Sequence, residues 1–186
     1  PFFDPSVYNG TDSPAPDEIA ANVQDPRAPL RNRTMQDQYF PGSTFKIVTT
    51  AAAASEKMMA EPTFNCTLEW KGQKYGDTLP VRTDWRALES PDSPFSKPAG
   101  EVTMAQALMS SCNPFFYEMG ARLFTLRGPD ALLNYARRMG FGTQTGVGLA
   151  ETEAAGTLPN PTSVEQGINE AIGQGGVQVT ILQMAR

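Results

Sequence analysis

From Ser43 to Ala60 the chain carries neither proline nor glycine, and positions 51–54 are four consecutive alanines. Alanine is the best helix former, and Phe45, Val48, Ala52 and Met59 recur at helical spacing, so the pattern predicts one helix over 43–59 with an apolar face. Pro41-Gly42 is a turn signal, which sets Ser43 at the helix start and Lys46 three residues on, along the same face. Such spacing suits a nucleophile and its base, and the unpaired N–H groups of a first turn suit a developing oxyanion. The plainer account makes Ser43 a helix N-cap and Lys46 a solvated residue, and a Ser-x-x-Lys tetrad arises by chance roughly once in a chain of this length. Against it, a cation in the first turn opposes the helix dipole, and its neighbours are Phe45, Ile47, Val48 and alanines, so the lysine reads as buried.

The remaining composition narrows the chemistry. There is no histidine, which excludes Ser-His-Asp triads, Cys-His dyads and histidine metal sites. Acid–base work falls to Lys, Asp, Glu, Tyr or a hydroxyl. A net charge of −5 and the lack of a basic patch argue against nucleic acid as a partner. Cys66 and Cys112 lack metal-ligand spacing; whether they pair is left open by the sequence. No signal peptide and no run of 18 apolar residues is present. The 186 residues suit one domain.

Residues 1–38 are rich in Pro, Asp and Asn and read as loop with one helical turn near Asp17 to Val23. After the central helix, 61–101 read as irregular, a length that is usually functional or an insertion. Val102 to Met109 reads as a short helix capped by Thr103. Asn113 followed by Pro114 is a start signal for a helix over Pro114 to Leu126, with Phe115, Met119 and Phe124 inward. Gly128-Pro129-Asp130 opens another helix carrying Leu132, Leu133, Tyr135, Ala136 and Met139, ended by Gly140-Phe141-Gly142. Residues 140–162 read as loops, and Thr180 as the cap of a final helix. The cluster Gly173-Gln174-Gly175-Gly176 is not a phosphate loop, since no strand precedes it and no Lys-Ser/Thr follows. Ser111 and Asn113, taken alone, read most simply as caps of the helix at Pro114.

Taken together, Pro-Gly-Ser-Thr-Phe-Lys at 41–46, Ser-Cys-Asn at 111–113, Gly-Phe-Gly at 140–142, Glu151 with Gly156 and Pro159, Ile-Gly-Gln-Gly at 172–175 and Val-Thr-x-Leu-Gln-Met-Ala at 179–185 closely resemble the transpeptidase domain of penicillin-binding proteins. The resemblance implies the α+β fold shared with serine β-lactamases, seen here mostly as its helical region with few strands. It implies a monofunctional peptidoglycan D,D-transpeptidase that forms a serine acyl-enzyme on D-Ala-D-Ala stem peptides and is acylated by β-lactams. Ser43 matches the nucleophile, Lys46 the base, Ser111 the proton-relaying hydroxyl and Asn113 the substrate-binding amide, with no metal and no cofactor. For Lys46 to act as a base its pKa must fall, through burial or a neighbouring cation.

The family's third motif, Lys-Thr/Ser-Gly, has no match in this sequence. Residues 1–186 are therefore expected to be a partial transpeptidase domain lacking the N-terminal strands and the Lys-Thr-Gly sheet region, inactive when isolated. By resemblance the full-length protein is expected on the extracytoplasmic face of the bacterial membrane, anchored by an N-terminal segment, with cell-wall elongation or division proteins as partners. The alternatives are a serine β-lactamase, disfavoured for the class with Ser-x-Val where this chain has Ser111-Cys112-Asn113, and a β-lactam sensor or cell-wall scaffold without turnover.

Overall fold

The computed structural model describes residues 16–58, 62–147 and 153–186. The central segment opens as a 3-10 turn over Gly42–Phe45 and continues as α3, Lys46–Ser55. It is shorter than the 43–59 expected, because Lys57 takes a left-handed conformation at φ 53. Lys57 N–H then donates to Ala54 O and Met58 N–H to Ala53 O, the paired bonds of a Schellman stop, with Met58 buried beyond it. Phe45, Val48 and Ala52 are buried as the periodicity demands. Met59 lies outside the described residues.

Two short helices precede this element, α1 at Pro16–Gln24, where one turn is expected, and α2 at Arg33–Gln36. The 61–101 stretch is less irregular than its composition suggests. Strands β1 (Phe64–Cys66) and β4 (Gly100–Val102) pair antiparallel with Phe64 opposite Val102, and β2 (Glu69–Trp70) and β3 (Arg82–Thr83) form a second ribbon with Glu69 opposite Thr83. These two-residue and three-residue strands carry too little alternation to be read from sequence.

Helix α4, Met104–Met109, begins two residues later than predicted because Val102 belongs to β4; Thr103 and Gln106 close a capping box. Helix α5, Asn113–Arg127, is the wall shared by two cores: Phe115, Phe116, Met119 and Leu123 join Phe45, Val48 and Leu133 on one side, while Tyr117 and Ala121 join Trp70, Val164 and Ile168 on the other. A helix apolar on both faces has to be interior. Phe124, expected inward, is half-buried against the second core.

Helix α6, Ala131–Arg138, buries Leu132, Leu133 and Ala136 against α3, with Met139 at its C-cap 46% exposed. Helix α7, Val164–Glu170, was not predicted, although Ser163 followed three residues later by Gln166 is an N-terminal signature; Ser163 Oγ indeed accepts from Gln166 N–H. It crosses α5 so closely that a Cβ at Gly120 would stand 2.6 Å from the Ala171 Cβ. Helix α8, Ile181–Ala185, starts at a Thr180–Gln183 capping box as expected. Among the described residues no helix is long and apolar enough to cross a membrane.

Candidate active site

Ser43 stands exposed in the first 3-10 turn, and its hydroxyl is not spent on a cap: Pro41 is the N-cap and no side chain caps the turn. The turn is anchored from the glycine cluster, where Gly42 N–H donates to Gly173 O at 2.9 Å. Phe141 packs edge-on against Phe45 beneath it. Glu151 lies outside the described residues.

Lys46 is 0% exposed. Its ammonium donates to Ser111 O at 2.9 Å, Ser111 Oγ at 2.9 Å and Asn113 Oδ1 at 2.6 Å, which uses all three N–H groups of the charged form. The Phe116 ring lies 5.2 Å from Nζ. Burial pulls the Lys46 pKa down to about 8; Asp84 opposes the fall and Arg86 adds to it. At neutral pH about a tenth of the lysine is then the free amine, against about one part in three thousand at the ordinary value.

Ser111 links the lysine to the first serine, since its hydroxyl donates to Ser43 Oγ at 3.1 Å. It sits at φ 52, a left-handed conformation uncommon for serine, and this turns both its carbonyl and its hydroxyl toward Lys46. Asn113 was expected to cap α5. Instead Cys112 is the N-cap, its sulfur accepting from Phe115 N–H at 3.3 Å, and Asn113 is the first helical residue. Cys112 is held extended by a disulfide to Cys66 of β1, with Cα atoms 6.2 Å apart, so the cap falls one residue early and the Asn113 side chain is left for Lys46.

Two further residues at the site were not singled out from sequence. Asp84 Oδ2 accepts from Asn113 N–H at 2.8 Å, and Asp84 Oδ1 accepts from Arg86 Nη1 at 3.0 Å. Arg86 Nη2 donates to Ser110 O at 2.6 Å. The available signal was weak: Asp84 reads as the cap of the 3-10 turn Trp85–Leu88, which it also is.

A buried lysine at the start of α3, which packs against α5 and α6, joined through one hydroxyl to an exposed serine in the turn before it, defines the class of serine–lysine sites. The chain belongs to the penicillin binding protein transpeptidase domain family, whose model matches residues 3–186. It is 30% identical over 198 aligned residues to the peptidoglycan D,D-transpeptidase PbpA of Mycobacterium tuberculosis, covering 100% of this chain and 35% of that protein. Among solved structures it is similar to penicillin-binding protein A from M. tuberculosis as its penicillin G acyl-enzyme complex, with a TM-score of 0.74 and 27% identity over 100% of this chain and 40% of that one. It is also similar to a chain from a structure of a peptidoglycan synthase complex that coordinates polymerization and crosslinking, with a TM-score of 0.74 and 32% identity over 94% of this chain and 29% of that one. The chain thus spans about a third of the length of the curated relative it matches.

Proposed function

We propose that this chain carries the serine–lysine part of a peptidoglycan D,D-transpeptidase site, with Ser43 as nucleophile, Lys46 as base, Ser111 as proton relay and Asn113 as the amide that hydrogen-bonds the substrate backbone. The observation that carries the reading is the continuous line from Ser43 Oγ through Ser111 Oγ to Lys46 Nζ, at 3.1 and 2.9 Å. When Lys46 is neutral its lone pair accepts the Ser111 proton, Ser111 takes the Ser43 proton, and Ser43 Oγ attacks the carbonyl of the penultimate D-Ala. The C–N bond to the terminal D-Ala breaks, the proton returns along the same line to the leaving amine, and an acyl-serine remains for an acceptor amine. The Ser43 N–H, in a first turn, is one oxyanion donor. In this reading a segment with the Lys-Thr/Ser-Gly motif completes the site from outside residues 1–186. β-Lactams acylate the same serine, the full-length protein works at the extracytoplasmic face of the membrane, and its partners belong to cell-wall elongation or division.

The test is intact-mass spectrometry of the full-length protein after penicillin treatment, with peptide mapping. One adduct on Ser43, absent in Ser43→Ala and formed about 10²–10⁴-fold more slowly in Lys46→Ala, is the expected result. An adduct on Ser111, or labelling that survives Ser43→Ala, would overturn the assignment. Persistence of the adduct over hours separates a transpeptidase from a β-lactamase, which clears it within seconds to minutes.

A further inference from the structure

We propose that Asp84 and Arg86 are positioning residues for this site: a buried carboxylate–guanidinium clamp that grips the chain on both sides of Ser111 and holds its hydroxyl, with the Asn113 amide, against Lys46. The inference rests on the functional reading above.

Ser111 has to be held. It is the left-handed residue that ends α4, with its N–H donating to Leu108 O at 3.1 Å and the Cys112 N–H to Ala107 O at 2.9 Å. Those bonds set its backbone turn, but a side chain is disfavoured at positive φ, and they leave the hydroxyl and the chain beyond Cys112 to be fixed by other groups. Such conformations persist where the surroundings over-determine them. Arg86 fixes the residue before Ser111 through Ser110 O, and Asp84 fixes the second residue after it through Asn113 N–H. The two grips are one unit, because Asp84 Oδ1 also takes the Arg86 N–H and Nη1, each at 3.0 Å. Asp84 is 1% exposed and Arg86 7%. The Asp84 carboxylate further lies within 4.8 Å of both disulfide sulfurs, so the clamp is backed by a covalent tie at Cys112.

A purely structural account of Asp84 ends at the cap of its own 3-10 turn. That role needs only Oδ1 and the Arg86 N–H. It leaves unexplained why Oδ2 is spent on Asn113 and why Nη2 reaches back to Ser110. The same two groups are the charges acting on Lys46, Asp84 favouring the ammonium and Arg86 the free amine. Their opposition gives a readout that loss of packing does not produce.

The experiment measures the acylation rate of Ser43 in the full-length protein with a fluorescent penicillin across pH, for Asp84→Asn, Arg86→Gln and Arg86→Lys, with thermal melts to establish that each variant is folded. Asp84→Asn and Arg86→Gln are expected to slow acylation by about 10²-fold, as sub-ångström to 1 Å misplacement does. The ascending limb of the pH profile should move to lower pH in Asp84→Asn and to higher pH in Arg86→Gln. Arg86→Lys, which keeps the charge without the two-sided reach, should slow acylation and leave the limb in place. Unchanged rates in folded Asp84→Asn, or limbs that move together, would overturn the clamp. Should wild-type Ser43 fail to label, the functional reading falls by itself; the clamp is then read from the NMR titration of Lys46 Nζ, where opposite shifts in the two variants uphold it and no shift refutes it.

Discussion

Gly173→Ala tests how the glycine cluster supports Ser43. Gly173 has φ +70, and a Cβ there would stand 2.1 Å from Gly42 O, 2.8 Å from Gly42 N and 2.8 Å from the Phe45 Cβ. The first two atoms are backbone, and Phe45 is 0% exposed, so none of them can swing away as a flexible side chain would. Relief requires the 42–45 turn to move off the cluster, breaking the 2.9 Å bond from Gly42 N–H to Gly173 O. An L-residue at positive φ costs about 1–2 kcal/mol and overpacking a filled site about 1–3 kcal/mol, so the variant should lose about 2–5 kcal/mol. Gly42→Ala is the control, since Gly42 also has positive φ (+54) but a Cβ there meets nothing within 4 Å; it should lose only about 1–2 kcal/mol. Urea unfolding of the intact protein, followed by tryptophan fluorescence, gives both values. Equal losses in the two variants would show that the contact between the cluster and the Ser43 turn does not matter, and that backbone conformation alone sets the cost.

Two further outcomes are expected. Reducing the Cys66–Cys112 bond, or replacing both residues by serine, frees a loop of 46 residues' separation and should cost ~4 kcal/mol by loop-closure entropy, seen as a lower urea midpoint; a midpoint that does not move refutes this. Glu170 is 2% exposed, its Oε2 has no hydrogen-bond partner among the described residues, and burial raises its pKa to about 8 against the weaker opposing pull of Arg137. Because the folded-state value is raised, the wild type keeps its full stability below the ordinary carboxylate pKa and loses part of it as pH climbs toward 8. Glu170→Gln should remove that slope and be more stable by about 1–3 kcal/mol at pH 9, measured by thermal melts across pH; an identical slope in the variant would show that Glu170 is not its source.

The elements written in local spacing were legible. The alanine run, the Thr103 and Thr180 caps and the stop at Gly128 each depend on residues within one or two turns of one another, where i, i+3 and i+4 contacts and caps act. The Ser43–Lys46 pair belongs to the same range, and the burial of Lys46 followed from its neighbours. The helix at Val164 also had a local signature in Ser163 and Gln166, obscured by the surrounding prolines and glycines. What only the tertiary structure decided is which distant groups meet Lys46. Ser111 and Asn113 are 65 and 67 residues away, and the shift of the α5 cap from Asn113 to Cys112 follows from a bond to Cys66 in another element. Within its own turn Asp84 is only a cap; its second oxygen acquires its use only when β3 and α5 are packed together. A residue's local pattern fixes the conformation of its own turn, whereas its partners across the core are chosen by how layers pack and loops close, and no short window of sequence contains that information.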